Sequence, residues 1–172
     1  MKRLILSILL LSAAFSITGC GIMPRSEADE ALAVRQTVMA YTEALARGFE
    51  TLDMNALNQV ATEEQATRAF FLMAALGESR VRMVSELQDI EVGEVTFPQE
   101  GQASVTTTET WDYDHISVDT TETVRSERGV VYRLRYDLAL TDDRWFVTNV
   151  TSLDELPESE ESTPSASETQ TP

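Results

Sequence analysis

The chain has 172 residues, one cysteine, and 29 acidic against 13 basic side chains, for a formal charge of −16 at pH 7. That excess of negative charge excludes nucleic-acid binding through phosphate contacts and attraction to an anionic membrane surface. One cysteine excludes an internal disulfide framework. The single lysine, Lys2, lies in a segment expected to be removed, so the mature protein has no amine for Schiff-base or lysine-nucleophile chemistry.

The first residues divide into three parts. Lys2 and Arg3 carry positive charge, and Leu4 to Phe15 form an apolar run. At about a dozen residues the run matches a signal-peptide core and falls short of the roughly 20 that a spanning helix requires. Ile17-Thr18-Gly19-Cys20 then resembles the lipobox of bacterial lipoproteins. The resemblance implies a signal peptide over residues 1–19 and a thioether-linked diacylglyceryl group, with palmitate-type acyl chains, on Cys20. Each buried methylene of such chains contributes about 0.8 kcal/mol, so two or three chains anchor stably. Lipidation would also leave no thiol for redox or metal chemistry. Gly21, rather than Asp, follows the cysteine; in a Gram-negative host that implies the outer membrane, with the body facing the periplasm. Residues 20–25 form a lipidated tether containing Pro24, short enough to keep the body near the membrane.

The body is expected over residues 26–156 as one domain. Ser26 with Asp29 marks a helix start. Val34, Val38, Tyr41 and Leu45 follow on one helical face, and Gly48 is placed to end the helix. Asp53 is a cap for a short second helix, Met54 to Val60. Thr62 with Gln65 resembles a capping box for a third, running through Phe70, Phe71, Met73, Ala74 and Leu76 to about Gly77. Its broad apolar surface predicts a well-buried helix.

From about Met83 the period changes to two. Ile90, Val92, Val95 and Phe97 alternate with a slip at Gly93-Glu94, the mark of a bulged strand. After a turn at residues 98–101, a strand over Gln102 to His115 places Ala103, Val105, Thr107, Glu109, Trp111, Tyr113 and His115 on one face. Residues 116–128 read as a polar loop or a loose hairpin. Val130 to Leu140 alternate again, Thr141-Asp142-Asp143 turn, and Arg144 to Thr151 form a last strand. Residues 157–172 carry Glu158, Glu160, Glu161 and Glu168 with no aromatic or large aliphatic residue, and are expected to be a disordered acidic tail.

Helices grouped before a meander of long strands give an α+β domain, helices packed on one face of a curled antiparallel sheet. That order resembles the nuclear transport factor 2-like superfamily, a cone-shaped fold. The segments Ala103–Trp111 (ASVTTTETW), Val131–Leu138 (VYRLRYDL) and Asp143–Val147 (DRWFV) narrow the resemblance to the C-terminal domain of cyanobacterial and chloroplast division proteins. It covers about Asp29 to Val150. The superfamily includes dehydratases, isomerases and epoxide hydrolases as well as non-catalytic scaffolds. Its enzymes place an Asp–His or Asp–Arg pair in the cone, and no such pair aligns onto this chain. Fold alone does not transfer function.

Four groups of residues are candidates for chemistry. His115, the only histidine, is either a general base or a strand-end residue; alternation puts Asp112 and Asp114 on the face opposite to it. Asp112, Asp114 and Asp119 offer oxygens to a hard cation, but the helix-loop-helix calcium pattern fails, with Thr123 in its twelfth position. No metal site and no cofactor is expected. Glu109 shares a face with Val105, Trp111 and Tyr113 and is expected to point into the cone. There it is a proton-transfer group, a polar hook for a ligand, or one half of an ion pair with Arg133 or Arg135, unless a bulge turns it outward. Trp111, Tyr113, Tyr132, Tyr136 and Trp145 either fill the core or, the first four above all, line a pocket for an apolar ligand.

Together these features favour a membrane-anchored envelope lipoprotein whose body is a non-catalytic binding or assembly module. The lipid anchor is its contact with the membrane, and an envelope protein is its expected partner. The alternatives are a small pocket enzyme (hydrolase, dehydratase or isomerase) using Glu109 or His115, or a binder of an apolar ligand.

Overall fold

The computed structural model describes residues 26–154. The signal peptide, Cys20, the tether and the acidic tail lie outside them.

Helix α1 spans Glu27–Thr51. Its first turn is closed in both directions: Ser26 Oγ accepts from the Asp29 N–H at 3.2 Å, and the Asp29 carboxylate accepts from the Ser26 N–H at 3.4 Å. Val34, Val38 and Tyr41 are buried along one face, with Leu45 packed against them. The helix does not end at Gly48. It runs another turn and is capped by Leu52, which takes up a left-handed φ of 56°. Gly48 serves a close approach instead: a Cβ there would collide with Met54 Sδ and crowd the Asp53 carbonyl, so the buried Met54 side chain would have to shift.

The expected second helix is a single 3₁₀ turn, Asn55–Gln59, introduced by Asp53 Oδ1 accepting from the Asn55 N–H at 2.9 Å. Helix α2 spans Glu63–Glu78 with Thr62 as its cap. The capping box is not completed, because Gln65 Nε2 donates to Tyr41 Oη at 2.8 Å and so ties α2 to α1. Nor is α2 well buried: Phe70, Phe71 and Leu72 are 49%, 67% and 65% exposed. Three consecutive residues fan across roughly 200° of helix surface, so they cannot all face one core.

The sheet is a meander of four antiparallel strands in the order β1-β2-β3-β4: β1 Val81–Gln99, β2 Gln102–Ser117, β3 Thr123–Thr141 and β4 Arg144–Ser152. The register slips between Val92 and Val95, where the sequence places its bulge, and again between Leu87 and Asp89. A Cβ on Gly93 would press on Thr106, which is why the bulge carries glycine. Of the two readings for residues 116–128 the structure takes the hairpin, and a tighter one: β2 continues to Ser117 and β3 starts at Thr123.

Bulges bend strands, and the bent sheet holds α1 and α2 on its inner face, an α+β architecture. The β4 edge is partly covered by the chain entering α2. Val147 N–H donates to Val60 O and Thr62 N–H donates to Val147 O, both at 2.9 Å, so the edge is closed to further pairing there. Beneath it Leu57 and Val147 are fully buried, each such side chain contributing about 1.5–3 kcal/mol.

Candidate functional site

Strand alternation places Ala103, Val105, Thr107, Glu109 and Trp111 on the inner face of β2, and all five are buried. Glu109 is 2% exposed. Its Oε1 accepts from Thr107 Oγ1 at 2.7 Å and Tyr136 Oη at 2.8 Å, and its Oε2 accepts from Trp111 Nε1 at 2.9 Å. Two of these donors come from the flanking inward positions of the same strand, and the third reaches over from β3. All three are neutral. The expected ion pair with Arg133 or Arg135 is not formed. On β3 the residues Tyr132, Leu134 and Tyr136 take the inner face, which turns both arginines outward to Asp154 and Asp137.

Beside this carboxylate lies a cavity of about 340 Å³ between the sheet and the helices. Trp111, Tyr113, Tyr132 and Tyr136 line it, so the structure brings all four pocket candidates to one wall. The Trp111 and Tyr113 rings stack at 6.0 Å, and Tyr132 meets Tyr113 edge-on at 6.3 Å. Tyr41 and Phe49 of α1 and Leu72 of α2 form the helical wall. A wider groove of about 680 Å³ between α1 and β1 shares Thr42, Ala46, Ser85 and Trp111 with the cavity, so the two spaces meet there.

The electrostatics of the cavity follow from burial around a negative charge. Tyr136 is held far above the ordinary tyrosine pKa by burial, then by the charge of Glu109 and its hydrogen bond. Tyr113 is raised by burial and then by Tyr132, with Glu109 contributing. Burial also raises Tyr41, against the hydrogen bond from Gln65. These phenols remain neutral throughout the physiological range, and Tyr136 remains a donor to Glu109.

The other candidates stand apart from the cavity. His115 is half-buried six residues further along β2, about 20 Å of extended chain from Glu109. It pairs in register with Met83 and Arg125, and its Nδ1 is buried without a hydrogen-bond partner. Glu109 and His115 are therefore not brought together. Each of the three aspartates has an arginine. Asp112 and Asp114 face Arg128, and Asp119 pairs with Arg80. Asp114 lies below its ordinary pKa through Ser126 and then Arg128, and Asp119 through Arg80. Among the described residues, no group of three or more His, Cys, Asp or Glu side chains is arranged to hold a metal ion. Trp145 packs on Phe97 at 6.0 Å, away from the cavity wall.

Sequence reasoning missed the helical wall and Ser85. Tyr41 sits on an apolar helical face, the signal of any core residue, and nothing in that signal separates packing from lining a space.

No protein-family model matches the chain, and neither does any curated protein. Solved structures do. The intermembrane-space region of the chloroplast protein ARC6 superposes with a TM-score of 0.65 at 17% identity, over 77% of this chain and 100% of that one. A putative aromatic ring hydroxylase from Novosphingobium aromaticivorans gives 0.52 at 17% identity, over 77% of this chain and 94% of that one. A putative dehydratase of the NTF2-like family from Streptomyces avermitilis gives 0.46 at 16%, over 72% and 94%. At these identities the likeness to the ARC6 region and to the putative hydroxylase is one of fold alone, here two helices packed on one face of a curled four-stranded antiparallel sheet.

Proposed function

We propose that this chain is a lipoprotein of the cell envelope, anchored through Cys20, whose cone is a non-catalytic binding module for a small ligand with an apolar body. The observation that carries the reading is the cavity itself. It is open and largely apolar, and its one buried carboxylate is already held by three side chains of the fold. A general base needs a proton path as well as a lone pair, and the single histidine lies well along the strand from Glu109. The lipobox-like Ile17–Cys20 and the apolar run before it support the anchor. The ARC6 domain of the same fold is an intermembrane-space region, so the fold serves in an envelope compartment elsewhere.

The placement of Glu109 on the cavity wall favours a second reading, a small hydrolase, dehydratase or isomerase. Native mass spectrometry of protein gently extracted from membranes separates the two. The expected result is a chain that starts at a diacylglyceryl-modified Cys20 and retains a small molecule unchanged. An unprocessed amino terminus or a free sulfhydryl overturns the location. A ligand that leaves the cavity chemically altered, and does so only with Glu109 present, overturns the non-catalytic role. Recovery of a crosslinked envelope protein covering the cavity mouth would turn the module from ligand binding to assembly.

A further inference from the structure

We infer that the cavity takes an organic cation: a small amine or quaternary ammonium group on an apolar body. The inference rests on the reading of the cone as a ligand-binding module and names the ligand's chemistry. Glu109 is a buried carboxylate whose three donors, Thr107, Trp111 and Tyr136, are all neutral. None of the ion pairs found among the described residues includes it. A buried carboxylate without an opposite charge is costly, and a positive group in the adjoining space relieves that cost. Arg68, which acts on the cavity-lining Tyr41 from outside, is occupied by Glu64 and by Asn149, the latter at 2.7 Å.

The rest of the wall fits the same chemistry. Trp111, Tyr113 and Tyr132 present rings around the cavity, and the faces of such rings attract cations. Ser85 lines the cavity as well, and its Oγ is buried with no hydrogen-bond partner, an acceptor left for an N–H or a polarised C–H of the guest. An anion would meet Glu109 at close range. At about 340 Å³ the space is near the lower end of small-molecule pockets, the size for a single ring or a short chain. The excess of acidic over basic side chains favours cations over anions around the protein as a whole.

The test compares phenyltrimethylammonium with its uncharged isostere tert-butylbenzene. Each is titrated by calorimetry into the full-length chain purified from membranes and held in dodecyl maltoside micelles, which carry no ammonium group, with empty micelles as the blank. The expected result is that the cation binds at least about tenfold more tightly than the isostere, and that Glu109→Gln erases the difference. Tyr113→Leu, which leaves the hydrogen bonds of Glu109 in place, weakens the cation several-fold and so decides the matter if Glu109→Gln does not fold. If tert-butylbenzene binds as tightly as the cation, the charge inference falls and the binding module stands. If neither probe binds, both fall. A preference for the cation that survives both substitutions also overturns the inference, since the cation then sits on the acidic surface outside the cone.

Discussion

The inner face of β2 runs through two different environments. At its start, Ala103 and Val105 belong to one buried core with Leu138, Val147 and Trp145 of the sheet and the small Val34 and Val38 of α1. At its far end, Glu109, Trp111 and Tyr113 face Tyr41 and Phe49 across a cavity. One strand thus carries a closed core at one end and a lined space at the other. Close packing comes from small and branched side chains that interdigitate. Bulky rings on both walls hold the layers apart, and where they do not meet a space remains. The two ends should therefore respond differently to the same kind of change.

The largest effect is expected at the closed end. Trp145 is buried and packs on Phe97, so Trp145→Ala removes a large filled volume and should cost about 3–5 kcal/mol. Urea unfolding followed by far-ultraviolet circular dichroism measures it. A cost below about 1 kcal/mol would mean that this end is as open as the other.

Alkali should act next, and on the open end. Tyr136 and Tyr41 have raised pKa values in the folded state, first through burial. A phenol whose folded pKa exceeds its unfolded value of 10.0 contributes stability that is complete below pH 10 and is lost as pH rises beyond it. Each of these two tyrosines can remove up to about 1.4 kcal/mol per pH unit above that point; the half-exposed Tyr113 removes less. Denaturation midpoints measured from pH 8 to 11 should stay level and then fall. In Tyr136→Phe the fall should be shallower.

Tyr136→Phe also isolates one hydrogen bond at neutral pH. It leaves the ring in place and takes one of three donors from Glu109, a loss of about 1–3 kcal/mol for a bond to a charged group. The double variant with Glu109→Gln should cost less than the two single changes added together, because the two residues share the bond. Strict additivity would show that the Tyr136 hydroxyl does nothing for Glu109.

What the sequence made legible divides along the same line. The face of α1, the bulge at Gly93 and the inward direction of Glu109 all follow from local periods and their breaks, which one stretch of chain contains in full. The partners of Glu109 do not. Tyr136 lies 27 residues away and reaches Glu109 from the neighbouring strand, whereas Arg133 and Arg135, the nearest opposite charges on that strand, are turned outward by the same alternation that turns Tyr136 in. The burial of α2 was misread because apolar count says nothing of direction: Ala66, Ala69 and Met73 form its buried stripe, and Phe70, Phe71 and Leu72 lie largely outside it. Whether the aromatics of β2 and β3 fill a core or line a space was out of reach for a related reason. The width of the cavity is the distance between α1 and the sheet, set by side chains from six elements that no single window of sequence contains.

The smallest effect is expected where a residue lines space without filling a core. Tyr132 is half-buried on β3, touches Tyr113 edge-on and borders the cavity on its inner side. Tyr132→Leu gives up one aromatic contact, worth about 0.5–1.5 kcal/mol, and opens no new enclosed void, since the space beside it already exists. Leucine keeps most of the apolar surface against Tyr113. The net cost should therefore stay near or below about 1 kcal/mol in urea unfolding, several-fold less than Trp145→Ala, although both remove an aromatic ring from the same sheet. A loss of about 3 kcal/mol or more would mean that the walls close on one another in solution, and that the two ends of β2 are one continuous core.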